Sequence, residues 1–212
     1  MIRSEEKTER LEEWVPRTRL GRLVLEGKIS SLEDLFAEGQ MIREPQIVDL
    51  LVPNLEEEVI NVSLVQKQTD AGEKSRFKAV VAVGNGNGCI GLGFGKAEQV
   101  RTAIENAAKD ARLNITIVRR GCGSWECGCG QPHSLMFETS GKCGGVKIRI
   151  IPGPRGLGLV ASETAKVILR LAGIKDCWTR SYGSTKTIPS FAYAVFDALK
   201  KTYSVVTPTD WV

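Results

Sequence analysis

Long apolar runs are missing from this 212-residue chain. No window approaches the roughly eighteen continuous apolar residues of a membrane helix, and the N-terminal Met1-Ile2-Arg3-Ser4-Glu5-Glu6-Lys7 has no apolar segment behind its charges. Neither a membrane nor a secretory route is expected, so the protein should stay in the compartment where it is made. Internal repeats and low-complexity tracts are also absent. Histidine is reduced to His133 alone. Acidic residues thin out along the chain: residues 1–58 hold 14 Asp/Glu against 8 Lys/Arg, whereas residues 59–212 hold 11 against 21. The basic surplus belongs to the later part and favours a polyanionic partner.

Cysteine, by contrast, is concentrated. Four of the six, Cys122, Cys127, Cys129 and Cys143, fall within 22 positions. Without a secretory signal such a cluster reads as a metal site in a reducing compartment rather than a disulfide frame. In "CGSWECGCGQPH" the expected ligands are Cys122, Cys127, Cys129 and His133, holding a structural zinc with no open position. Cys143 competes for the fourth place. It sits at the tip of the hairpin that starts near His133, and seven strand residues of about 3.3 Å each put it roughly 23 Å from that start, which argues against it. Cys89 and Cys177 lie in apolar runs and are expected to be core thiols.

The first stretch reads as a helical, loop-rich extension. "SSLEDLFAEG" offers Ser31 as a cap, Leu32, Leu35 and Phe36 as an apolar face and Gly39 as a stop, and "EPQIVDLLVPNL" gives a second short face ending near Pro53. From Glu58 the period changes to two. "EEVINVSLVQKQ", "RFKAVVAVG" and "CIGLGFG" predict a meander, with "TDAGEKS" as one hairpin loop and "GNGNG" as the next turn. Residues 97–113 place Val100, Ala103, Ile104, Ala107 and Ala111 on one helical face, and "NITIVRR" predicts a fourth strand ending at Arg119 and Arg120.

Gly86-Asn87-Gly88-Cys89-Ile90-Gly91 matches the G-x-G-x-x-G of dinucleotide folds. Its context does not fit, because a whole strand separates Gly88 from the helix and the next strand ends in arginines where an acidic residue should hold a ribose. The glycines read instead as turn residues, with Gly91, Gly93 and Gly95 omitting side chains where backbone packs closely or RNA approaches. In the second half, "HSLMFETS" and "VKIRIIPG" predict a hairpin with Lys147 and Arg149 on one face and Val146, Ile148 and Ile150 on the other. A helix capped by Ser162 and closed by Gly173, the strand "IKDCWTRSY" and a final helix with Pro189 in its first turn complete a two-layer β-β-α-β-α domain.

"RFKAVVAVGNGNGCIGLGFGKAEQVRTAIENAAKDARLNITIVRRG" followed by "IPGPRGLGLVASETAKVILRLAGIKDCWTRSYGSTKT" resembles the small-subunit ribosomal protein five family. "EEWVPRTRLGRLVLEGKISSLEDL" resembles the extension of its archaeal and eukaryotic branch, so the resemblance covers nearly the whole chain. The fold class it implies is α+β: a double-stranded-RNA-binding-like meander plus helix at 58–121, a Cys-rich linker at 122–133 and a second α+β domain at 134–206. An N-terminal extension at 1–57 and a tail at 207–212 flank them. The implied role is a non-enzymatic, cytoplasmic constituent of the small ribosomal subunit that binds small-subunit rRNA. Its expected place is the body of the subunit, near the channel by which messenger RNA enters and the decoding centre, supporting assembly and accuracy. Neighbouring small-subunit proteins three and four are the expected protein partners, with no small-molecule substrate.

The loop carried over from the family spans residues 67–76, with Lys67, Lys74 and Arg76 as phosphate contacts; Asp70 and Glu73 make it less basic than the bacterial form. Further rRNA-binding candidates are Lys78, Asn85, Asn87, Lys96, Arg119, Arg120, Lys147, Arg149, Arg155, Arg180 and Lys186. Eukaryotic relatives lack the cysteine cluster, so the ribosomal role does not require metal. Two alternatives are a small-metabolite kinase and a free zinc-dependent nucleic-acid-binding regulator. Pro154–Ala161 resembles the kinase phosphate loop, but Leu159 and Val160 stand where hydroxyl residues are needed.

Overall fold

A computed structural model of the chain describes residues 14–37, 39–52 and 54–205. Residues 1–13 of the expected extension, Pro53 and the expected tail at 207–212 lie outside the described residues. The chain divides after Leu55 into two compact units.

The first unit contains three short helices, α1 (Arg19–Leu25), α2 (Leu32–Ala37) and α3 (Pro45–Leu51). Each begins where its sequence supplies a start signal. The Thr18 hydroxyl accepts from the Gly21 N–H at 3.1 Å, Ser31 accepts from Asp34 at 3.1 Å, and α3 begins on a proline, whose missing N–H costs nothing there. Gly39, at φ +66°, follows α2 as expected. Leu20, Val24, Leu35 and Ile47 form a small core.

The second unit begins with the predicted meander. Strands β1 (Glu56–Thr69), β2 (Gly72–Gly84), β3 (Cys89–Ala97) and β4 (Ile115–Ile117) form an antiparallel sheet in that order, and α4 (Val100–Leu113) lies on one face. The strand glycines are explained by that helix. A Cβ on Gly91, Gly93 or Gly95 would collide with backbone atoms of Ala111, Ala107 and Ala103, so the three glycines let α4 descend onto the sheet. Of the two expectations for them, close backbone packing is the one the fold uses. The helix starts at Val100 rather than Ala97, because Ala97 still pairs with Phe77 at the end of β3.

"TDAGEKS" is corrected from a loop to a tight turn. The β1–β2 ladder runs on to Thr69 opposite Gly72, leaving only Asp70 and Ala71 outside it. Gly72 adopts φ +116° and the Thr69 hydroxyl donates to its carbonyl at 2.7 Å. The segment reads as a loop because this end of the ribbon is exposed on both faces and carries no apolar alternation.

The second half departs from the predicted order in two places. The run "HSLMFETS" is divided: β6 (Ser134–Leu135) pairs with β5 (Arg120–Gly121), and β7 starts only at Thr139. After β7 (Thr139–Cys143) and β8 (Val146–Pro152), a two-residue strand β9 (Leu159–Val160) precedes α5 (Glu163–Leu171), β10 (Cys177–Tyr182) and α6 (Ile188–Lys200). The sheet order is β7-β8-β10-β9, with β9 parallel to β10. Such a short strand leaves no periodic signal in a glycine-rich loop. Ser162 stands at the N-cap of α5 as expected but makes no capping side-chain bond, and Gly173 closes the helix at φ +80°. The two halves share one core: Val80, Ala82, Ile90 and Leu92 of the first sheet pack with Ile148, Ile150, Ile168, Leu169 and Val195 of the second half. Each valine, leucine or isoleucine among them contributes about 1.5–3 kcal/mol on burial.

Candidate metal centre and nucleic-acid interface

The strand registers place like charges opposite one another. In the first sheet Lys67 faces Lys74 and Lys78 faces Lys96; in the second, Lys142 faces Lys147 and Arg149 faces Arg180. Directly opposite side chains have Cβ atoms about 4.5–5.5 Å apart, and like charges there are destabilising. Lys67, Lys74, Arg76, Lys78 and Lys96 all point to the sheet face away from α4. Lys147, Arg149 and Arg180 lie on the face of the second sheet opposite the buried Val146, Ile148 and Ile150. Two cationic faces result, each with little acidic compensation: Glu98 stands 3.6 Å from Lys74 and Glu138 3.6 Å from Arg149, all four side chains well exposed. Exposed pairs of this kind are screened by water and stabilise little. At the inner end of the first face, Lys78 lies 5.0 Å from the Phe94 ring, which stacks on Tyr193 at 4.4 Å.

Other candidates are engaged inside the fold. The Asn85 carboxamide accepts from the N–H groups of Asn87 and Cys89 at 2.8 and 3.0 Å and closes the turn. Asn87 in turn accepts from Arg120 at 2.5 Å, while the Gly86 and Gly88 amides donate to the end of α5. Burial lowers the Arg120 guanidinium from its usual value. Arg119 donates to the Val205 carbonyl at 2.8 Å and lies over Tyr203. Arg155 and Lys186 are exposed, on the loop before β9 and the turn before α6.

The cysteine loop is closed at its base by the β5–β6 pairing, Arg120 opposite Leu135 and Gly121 opposite Ser134. Gly123 donates to the Leu135 carbonyl at 2.9 Å, and a Cβ there would strike the Leu135 and Met136 carbonyls. Ser124 begins a turn that its carbonyl closes with the Cys127 N–H at 3.2 Å. This folding gathers Cys122, Cys127, Cys129 and His133, whose ligand atoms all lie within 4.8 Å of one another. Sulfurs on a tetrahedral zinc would stand about 3.8 Å apart, so the set is close to the closed arrangement a structural metal needs. Cys143 is not among them; it packs against the shared core.

Two features tune the donors. His133 Nδ1 is 2.9 Å from the buried Asp176 carboxylate, while its Nε2 is 3.8 Å from the Cys127 sulfur. The carboxylate fixes the tautomer with hydrogen on Nδ1 and leaves the Nε2 lone pair toward the sulfurs. The N–H of Arg155, and then that of Cys129, hold the Cys127 thiol down to about 6, whereas Cys122 is pushed up, by burial first. Thiolate is the form that ligates metal. Cys177, the expected core thiol, is pushed up to about 12 by burial.

Asp176 also decides the second glycine motif. Its other oxygen accepts from the Gly156 and Gly158 amides at 3.1 and 2.8 Å. The groups that would cradle a phosphate in a kinase loop are occupied by a carboxylate of the chain itself. The adjoining cleft, lined in part by Trp125, Pro154 and Trp178, measures about 160 Å³. Small-molecule sites usually span about 300–1,000 Å³.

Lys142, Trp178, Tyr182 and Asp176 escaped the sequence reading. Trp178, Arg180 and Tyr182 alternate along one strand and were readable as one face. Lys142 needed the register, and Asp176 meets His133 from 43 residues away.

Two family descriptions match the chain: ribosomal protein S5, N-terminal domain, over residues 55–119, and ribosomal protein S5, C-terminal domain, over residues 141–208. Among similar proteins are those called small ribosomal subunit protein uS5 in two archaea. The Thermofilum pendens protein is 57% identical over 94% of this chain and 98% of its own length, and that of Ignicoccus hospitalis 58% identical over 95% of each.

Proposed function

The chain belongs to the ribosomal protein S5 family, and on that premise we propose that it is a non-enzymatic constituent of the small ribosomal subunit, attached through small-subunit rRNA. The observation that carries the attachment is the set of like-charged pairs across both sheets. Opposed cations raise the energy of the free chain, and phosphate oxygens placed between them remove the repulsion while releasing counterions. Such contacts position an RNA without reading its sequence. Lys67, Lys74, Arg76, Lys78 and Lys96 form one contact group and Lys147, Arg149 and Arg180 another. Arg119, Arg155 and Lys186 extend them, and Asn85, Asn87 and Arg120 act mainly by holding the turn against α5.

We place the β1–β2 ribbon tip near the decoding region and the channel by which messenger RNA enters, with proteins three and four as neighbours. This placement follows from the resemblance of the ribbon segment. We assign zinc to Cys122, Cys127, Cys129 and His133, where it would supply a structural cross-link to a loop rich in glycine. Three cysteines, one oriented histidine and no open position suit that ion.

Sedimentation of cell extract through a high-salt sucrose gradient tests the assignment. Nearly all of the protein should run with the small subunit; recovery as a free DNA-bound protein, or ATP turnover by the purified chain, would overturn it. Metal analysis should find about one zinc per chain, lost on changing Cys127 and Cys129 to Ser and kept on changing Cys143.

A further inference from the structure

Trp125, in the loop between Cys122 and Cys127, is 92% exposed, and Trp178 on β10 is 44% exposed. The two residues line the same cleft, between the cysteine loop and the open face of the second sheet. An indole this exposed has almost no packing within its own chain, and a large apolar ring left in water favours a partner. The surroundings say which kind. Arg180 and Tyr182 follow Trp178 on the same face of β10, with Arg149 opposite Arg180, Lys147 opposite Tyr182 and Ile151 opposite Trp178. Tyr182 is 49% exposed. Arg155 is exposed beyond Pro154, a residue of the cleft wall. Against these cations the cleft offers Glu126 and the face offers Glu138.

We infer that this cleft is a stacking site for unpaired bases of an RNA strand, whose backbone runs along Arg149, Arg180 and Lys147. Aromatic rings beside a cationic track are the two parts that single-stranded nucleic acid requires: the rings take bases of any identity and the cations take phosphates. A duplex would satisfy only the second, because its bases are stacked on each other. A protein partner is a poorer match, since the exposed cations Lys147, Arg149, Arg155 and Arg180 outnumber Glu126 and Glu138, and Arg149 directly opposes Arg180. The inference rests on the rRNA-binding reading and adds to it the form of RNA taken, an exposed single strand. It also gives the metal loop a task, since the loop closed by Cys122, Cys127, Cys129 and His133 is the one that presents Trp125.

The test uses the full, metal-loaded chain and two probes: a short unstructured oligouridylate and an abasic strand of the same length, which keeps the phosphates and lacks the bases. The wild type should bind the base-bearing strand roughly 5- to 150-fold more tightly. Trp125→Ala and Trp178→Ala should each reduce that preference while leaving the salt dependence unchanged, and Trp125→Phe should retain most of it. Trp125 has little packing to lose, so its variants should fold. Arg180→Ala should do the opposite, lowering the salt dependence while the preference for bases survives. Equal wild-type affinity for the two strands overturns the inference but leaves the rRNA reading standing, and so does a preference that survives Trp125→Ala. Loss of a neighbouring protein from subunits carrying Trp125→Ala, with base preference intact, would assign the cleft to protein and also overturn it. Absence of salt-dependent binding to either strand would overturn both readings.

Discussion

The two sheets of the second unit set cations against cations in the same way and differ in what stands beside them. On the first face the aromatic neighbour is Phe94, covered by Tyr193 and by the Lys78 side chain. On the second, Trp178 and Tyr182 are open to solvent. On the proposed reading the difference separates two tasks. Charge beside a covered ring such as Phe94 holds phosphates of any RNA, and a ribbon exposed on both faces suits a folded RNA met by shape. Charge with open rings discriminates for unpaired bases. The helices meet the two sheets differently as well. Three strand glycines admit α4, whereas Gly141 alone, against Ala194 and Ala198, admits α6.

Gly93→Ala should have the largest effect on the comparison. Its Cβ would meet backbone atoms of Ala107 and Ala111, which have no rotamer by which to yield. Thermal or denaturant unfolding should show a loss of about 3 kcal/mol or more. Gly128→Ala, with open space around it and no positive φ, should stay within about 0.5 kcal/mol of wild type. Equal losses at both positions would show that the glycines are not what lets α4 approach.

Asp176→Asn comes next. It weakens the partner that orients His133 and the acceptor of the Gly156 and Gly158 amides, so zinc affinity by chelator competition should fall about 10- to 100-fold. An unchanged affinity would mean that the carboxylate serves only the glycine loop.

The smallest effects sharpen the parallel between the sheets. Lys67→Ala removes one member of an opposed pair and leaves Lys74 with Glu98; Arg180→Ala does the same opposite Arg149, which keeps Glu138. Neither should destabilise the free chain, and each should gain up to about 1 kcal/mol through relief of the repulsion. A stability loss in one sheet alone would break the parallel there.

Much of this architecture is legible in the sequence, because burial of one face leaves a period. Val146, Ile148 and Ile150 are buried and alternate with exposed Lys147 and Arg149, the alanines of α4 recur at helical spacing, and Gly86-Asn87-Gly88 marks its turn. Where both faces meet water the period vanishes, which is why the ribbon end from Thr69 to Ser75 reads as a loop. Where an element is two residues long, as at Leu159-Val160, there is no period to find. The cluster of Cys122, Cys127, Cys129 and His133 is legible because twelve consecutive residues contain all four. Asp176 is not, since its meeting with His133 depends on β10 arriving beside β6. The opposed cations are hidden for a similar reason: each lysine is visible, but only the register shows what it faces.

The central claim is that the opposed cations of both sheets hold RNA phosphates. The most direct test is the slope of log affinity against log salt for full-length protein on small-subunit rRNA, wild type against Lys67→Ala/Arg180→Ala. Losing one contact in each sheet should reduce the slope by about 1.4–1.8, with folding stability undiminished. A slope identical to that of the wild type would contradict the account.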